Sequence, residues 1–244
     1  MKLRFIGCGD AFGSGGRFNS CFLVERGEAS VLIDCGASSM IAMRQQGIDP
    51  NSIGAIFVTH LHGDHFGGLP FFILDAQFYS RRRTPLTLVG PPGFGARLAQ
   101  AMEIFFPGSA NAARKFAIEL HEIAPGETQR FVDVTVSAVE VRHACGAPAL
   151  ALRLSCDGKV IAYSGDSEWT DALIDIGRNA DLFIVEALSF DKRISQHLDY
   201  AALLANEARI GAHRIILTHL GPEMLSRAQD AQHEIASDGL VVDL

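Results

Sequence analysis

Short runs with alternating apolar and polar positions give way, along this chain, to runs that are apolar throughout, with helical spacings between them. Residues 3–7, 21–25 and 30–34 read as strands, the last two paired around Gly27. Residues 38–46 read as a short helix ended by Gly47. Residues 55–59 form the continuous apolar run of a buried strand and lead directly into His60. Residues 66–79 space their large apolar side chains as a helix does, and 87–90 return as a strand.

The second half repeats the style. Segments 116–123, 130–141, 150–156 and 159–166 read as adjacent strands, with a tight turn at Cys156-Asp157-Gly158. Residues 169–177 read as a helix, 181–187 as a strand, 200–210 as a helix capped by Asp199, and 214–219 as another buried strand. In both halves strands come first and strand–helix units follow, with acids and histidines at strand ends. That plan predicts an α/β (α+β) architecture over residues 1–244 as a single domain: an αββα sandwich of two mixed β-sheets flanked by helices.

Composition narrows the function without choosing it. The formal charge of −7 disfavours stable nucleic-acid binding, which rests on Lys and Arg neutralising phosphates. The basic cluster Arg81-Arg82-Arg83 reads as a solvated loop after a helix. No segment approaches the ~20 apolar residues of a membrane helix, and the N-terminus lacks the apolar stretch of a secretory signal. A cytoplasmic location with reduced, buried cysteines is expected, since the five are scattered and form no CxxC.

The chemistry concentrates in Thr59-His60-Leu61-His62-Gly63-Asp64-His65. Imidazole and carboxylate ligands suit zinc and its neighbours. Alternation lets His60 and His62 point the same way at the end of an extended run. Gly63 then permits a turn that carries Asp64 and His65 towards a second position. One ion seldom draws so many ligands from so short a stretch, so two adjacent divalent cations are expected, zinc first and manganese as the other choice.

HLHGDH resembles the HxHxDH signature of the metallo-β-lactamase superfamily. The longer run GIDPNSIGAIFVTHLHGDHFGGLPFFI is similar to its ribonuclease Z-type and phosphodiesterase branch. The likeness continues through LIDCG (32–36), VGPPG (89–93), YSGD (163–166), VEA (185–187) and ILTH (216–219), in the family's order. It implies the metallo-β-lactamase fold, with one metal held by His60, His62 and His143. Asp64, His65 and His219 would hold the other, and Asp166 would bridge the two. Metal-bound hydroxide would attack the substrate, and Asp64 would also accept a proton from the water.

The same resemblance makes His197 the group that protonates or stabilises the leaving oxygen, with Glu186 orienting it. The bland alternative leaves His197 packing before a helix and Glu186 as a solvated strand end. The tRNA-processing enzymes of the branch carry a long arm between the ligands matching His143 and Asp166. Only 22 residues (144–165) stand there in this chain, enough for two strands and a turn. A small or cyclic, nucleotide-like phosphodiester is therefore expected rather than precursor tRNA.

A lactone, thioester or β-lactam is the alternative substrate on the same fold, and a non-catalytic metal-binding sensor the third reading. Asp34 is expected to support the metal loop by hydrogen bonds, or else to cap the next helix. The glycine loop after Gly7 reads as a turn beside the metals rather than a phosphate cradle. His121, His213 and His233 match no family position and read as surface or helix residues. Substrate contacts are expected from loops near 12–19, 70–83, 105–115 and 188–198. The stretch 102–107 reads as core, with a homodimer contact as the alternative.

Overall fold

The computed structural model describes residues 1–244 apart from Glu28. The first half contributes β1 (Lys2–Gly7), β2 (Cys21–Glu25), β3 (Ser30–Ile33), β4 (Ile53–Phe57), β5 (Leu86–Gly90) and β6 (Ile118–Glu122). The second contributes β7 (Thr128–Phe131), β8 (Val134–Glu140), β9 (Leu150–Cys156), β10 (Lys159–Tyr163), β11 (Leu182–Glu186), β12 (Ile215–Thr218), β13 (Glu234–Ile235) and β14 (Val241–Asp243). Between them lie α1 (Ser39–Gln45), α2 (Gly63–Phe66), α3 (Leu69–Phe78), α4 (Phe94–Phe105), α5 (Ala172–Gly177), α6 (Tyr200–Ile210) and α7 (Pro222–Ser226).

The strands form two 7-stranded sheets, ordered β14-β1-β2-β3-β4-β5-β6 and β13-β12-β11-β10-β9-β8-β7. Each joins an antiparallel part to a parallel part, the first sheet changing at β3–β4 and the second at β10–β11, with β7 to β10 antiparallel and β10 to β13 parallel. The αββα plan and its repetition in the two halves stand as expected. Period-two alternation explains the layers. Phe22 and Val24 of β2 face the core between the sheets, while Cys21 and Leu23 face the outer helices. In that inter-sheet core Phe22 meets Tyr163 edge to face, with ring centroids 4.9 Å apart. Separate clusters bury the inner faces of α3 and α4 on the first sheet and of α5 and α6 on the second.

Several boundaries move for physical reasons. The helix expected over 66–79 divides into α2 and α3 at Gly67-Gly68, where a Cβ on Gly68 would lie 2.3 Å from the carbonyl oxygen of Gly36. The helix expected from 169 begins only at Ala172. Asp199 caps α6 as predicted, its Oδ1 accepting from the Ala202 amide at 2.8 Å. The stretch 102–107 is not core as a whole: it ends α4, with Met102 buried but Ile104 and Phe105 exposed. Arg82 corrects the solvated-loop reading, since it is buried and donates to the carbonyls of Pro50, Thr84 and Pro85. All five cysteines are free and buried. Among the described residues no helix is long and apolar enough to cross a membrane.

Candidate metal centre

The cluster forms where strands of both sheets end. His60 follows β4, His143 follows β8, Asp166 follows β10, Glu186 closes β11 and His219 follows β12. The sheets are tied together at this end, because the Leu150 amide donates to the Thr59 carbonyl at 3.0 Å. Gly165 allows the approach: its φ is 58° and a Cβ there would stand 2.7 Å from the Leu150 oxygen. Open α/β sheets place ligand sites at such carboxyl ends.

Among the described residues three groups of potential ligands result: His60, His62 and His143; Asp64, His65, Asp166 and His219; and Asp166, Glu186, His197 and His219, with donor atoms of each group within 4.8 Å of one another. The first two groups hold the ligands expected from the sequence. Asp166 sits between them. Its Oδ2 is 3.9 Å from Nε2 of His60 and 3.4 Å from Nε2 of His219, and its Oδ1 is 3.3 Å from Nε2 of His65. Nε2 of His143 stands 2.9 Å from Nδ1 of His62. Every ligand residue expected from the sequence is therefore brought to one place.

Outer contacts aim the rings. Asp34, fully buried at the end of β3 with φ 59°, accepts from the Thr59 amide at 2.8 Å and the Thr59 hydroxyl at 2.9 Å. Its Oδ2 lies 2.7 Å from Nδ1 of His65, which leaves Nε2 of that ring facing the acids. Asp34 thus supports the loop and does not cap α1, whose N-cap is Ser38. Thr59 Oγ1 holds Nδ1 of His60 at 3.1 Å, and the Gln196 carbonyl holds Nδ1 of His143 at 2.9 Å. Outer partners of this kind fix tautomer and orientation.

The donors fit a cation. Nε2 of His60, Nε2 of His65 and Oδ1 of Asp166 are buried with no hydrogen-bond partner, a situation native structures seldom leave uncompensated. Burial holds His60 and His219 below the usual imidazole range, favouring the neutral form that coordinates metal. Imidazole nitrogens with carboxylate oxygens are the donor set of zinc and manganese sites.

Beside this cluster stands a pair. Nδ1 of His197 is 3.0 Å from Oε2 of Glu186 and 3.9 Å from Oδ2 of Asp166. Glu186 is fully buried, which removes the solvated strand-end reading, and its Oε1 accepts from the amides of Ser167 and Leu198. Burial, then Asp166, pushes the Glu186 carboxyl up to about 7. Burial would depress His197, but the hydrogen bond and charge of Glu186 outweigh it and raise the imidazole to about 9. The two side chains are thus paired by a hydrogen bond beside the histidine–aspartate cluster.

A cavity of about 370 Å³ opens over these groups, lined by Asp10, Ala11, Phe12, His62, Gly63, Asp64, Asp166, Leu188, His197 and His219. Loops near 12 and 188–197 contribute as expected, whereas 70–83 and 105–115 do not reach it. The glycine loop is a turn and not a phosphate cradle. Asp10 Oδ1 takes up the amides of Phe12 and Ser14, and the Asp10 carbonyl takes that of Gly13. His121 lies exposed on β6, a strand rather than a helix, and His233 bonds Tyr200 and Glu207. Neither these nor His213 joins the cluster.

The family model described as "Anti-Pycsar protein Apyc1" matches residues 1–239. The ribonuclease Z of Mycobacterium bovis is 24% identical over 244 residues, covering 91% of this chain and 86% of that protein. The metallo-β-lactamase fold protein YhfI from Bacillus subtilis superposes with a TM-score of 0.78 at 20% identity, over 99% of each chain. Human tRNase Z, short form, gives 0.80 at 23% identity, over 100% of this chain and 99% of that one. The fold is the metallo-β-lactamase fold.

Proposed function

The chain belongs to the family described as Anti-Pycsar protein Apyc1, and from that premise we propose that it is a metal-dependent hydrolase cleaving a small or cyclic phosphodiester. Likeness to ribonuclease Z supports the bond type. The single observation that carries the reading is the His197–Glu186 pair, 3.0 Å across and beside Asp166. A thioester releases a thiolate and needs no acid so placed, whereas an alkoxide leaving from phosphorus does. A lactone also releases an alkoxide, and against it the likeness to ribonuclease Z supports phosphorus.

Two divalent ions, zinc or manganese, would polarise the phosphate oxygens and make water nucleophilic near neutral pH. His60, His62 and His143 would hold one ion, Asp64, His65 and His219 the other, with Asp166 shared. Asp64, on the cavity wall, accepts the proton of the attacking water. His197 donates its own proton to the departing oxygen, and Glu186 keeps the ring turned and charged for that transfer. The β9–β10 hairpin occupies 150–163 within the sheet, so the connection between His143 and Asp166 forms no protruding arm. With a cavity near the lower end of small-molecule sites, this supports a compact substrate over precursor tRNA.

The test is metal content together with diester cleavage by wild type and His197→Ala, using leaving groups of rising pKa. About two ions per chain are expected. The variant's loss should be small for p-nitrophenol and reach at least about 100-fold for an alkyl alcohol, the range of acid catalysis. A loss that ignores the leaving group sinks the role of His197. Absence of diester cleavage with both ions present sinks the phosphodiesterase reading and turns the search to lactones and thioesters.

A further inference from the structure

Phe12 is 94% exposed at the mouth of the cavity that holds the histidine–aspartate cluster. A single exposed phenylalanine is ordinary on a protein surface; its place and its support are not. Asp10, itself 4% exposed, clamps the loop beneath it. Besides the amides of Phe12 and Ser14, it accepts the Ser14 hydroxyl at 2.6 Å, and its carbonyl accepts the Asn19 amide side chain at 3.0 Å. Gly13 (φ 68°) and Gly15 (φ 68°) supply the left-handed turns that follow. Gly15 packs towards Leu225 of α7. The backbone under Phe12 is fixed, while its ring has no aromatic partner among the described residues.

The walls divide by chemistry. His62, Asp64, Asp166, His197 and His219 make the polar floor, where a phosphate would sit. Ala11, Phe12 and Leu188 make the apolar rim. A substrate that places charge on the floor thus meets a flat hydrocarbon face at the entrance. Aromatic rings stack on such a face, because every base has a π-surface and stacking needs no hydrogen-bond match.

We propose that Phe12 is the stacking platform for a planar ring, a nucleobase, carried by the phosphodiester bound at this cluster. The inference rests on the phosphodiesterase reading for what occupies the floor. It assigns to Phe12 the discrimination between base-bearing diesters and diesters of the same phosphate geometry that lack a base.

The experiment compares adenosine 3′,5′-cyclic phosphorothioate with its base-free analogue on the metal-loaded protein, by calorimetry, for wild type, Phe12→Ala and Phe12→Trp. Wild type should bind the base-bearing ligand at least about tenfold more tightly. Phe12→Ala should erase that preference while leaving base-free binding within about twofold, and Phe12→Trp should keep it. Equal binding of the two ligands by wild type, binding of neither, or a Phe12→Ala effect that is nil or equal on both overturns the proposal. So does a change of assembly mass in Phe12→Ala, read by sedimentation, with ligand preference intact, since the ring would then serve a second copy of the chain. Cleavage of the corresponding oxygen diesters is assayed separately. If wild type cleaves neither while the base preference and its loss persist, the hydrolase reading fails and the stacking role stands.

Discussion

Oε2 of Glu186, at the buried end of β11, lies 3.0 Å from Nδ1 of His197, on the segment leading into α6. The pair joins the last residue of a rigid strand to a loop that lines the cavity. Glu186 is in turn fixed by the amides of Ser167 and Leu198, so the imidazole inherits the precision of the sheet.

Glu186→Gln should lower the pKa of His197, because the carboxylate is what raises it against burial. The folded-state pKa is elevated, so the acid form persists below it and is lost as pH rises through it. Removing the charge should move the alkaline limb of the kcat/KM profile to lower pH. An alkaline limb that stays in place means that His197 is not the titrating acid.

Gln196 ties this loop to the metal cluster. It adopts φ 69°, its carbonyl holds Nδ1 of His143, and its Oε1 accepts from the Ala144 amide at 2.7 Å. In Gln196→Ala the carbonyl remains but loses the bond that steadies it. Metal affinity at the His60/His62/His143 position should fall about tenfold, the lower end of outer-partner effects. Chelator competition should show one weakened ion and one unchanged. Equal weakening of both would place the effect on overall folding.

Much of this was legible because the informative signals are local. An apolar run ending in HLHGDH announces both a buried strand and a ligand turn within about a dozen residues, and Asp199 marks the start of α6 by a cap bond to its own neighbour. α4 escaped notice although Phe94, Leu98 and Met102 recur at i, i+4 and i+8 and are buried. Its glycine and alanines, together with the exposed Ile104 and Phe105, blur the stripe. The burial of Glu186 was open in the sequence because it depends on β12 and α6, which are distant along the chain. The cavity walls were only half predicted for the same reason: which loops stand over a strand end is set by tertiary packing.

Asp34→Ala should destabilise even the metal-free protein. The carboxylate is wholly buried and takes donors from Thr59 and His65. Orphaned donors cost roughly 1–3 kcal/mol each, so a loss of about 2–4 kcal/mol is expected in urea unfolding with chelator present. Asp34→Asn keeps an acceptor and tolerates the left-handed backbone, and it should lose less. A metal-free stability unchanged in Asp34→Ala would restrict the residue's role to the loaded centre.

Metal removal should itself lower the melting temperature. Without cations, the unpaired atoms of His60, His65 and Asp166 remain buried, and Asp64 lies near Asp166 with only imidazoles between them. An ion present at about 1,000 times its Kd stabilises the fold by roughly 4 kcal/mol. In a chain of this length each kcal/mol shifts the melting point by roughly 2–4 °C. A drop of about 8–16 °C on chelation is therefore expected, reversed by zinc or manganese. His60→Ala tests whether that gain arises at this cluster: the variant should melt with a smaller chelator-dependent difference than wild type. If chelation leaves the wild-type melting point where it was, or shifts the variant equally, the ions that matter are bound elsewhere and the assignment of these side chains as ligands fails.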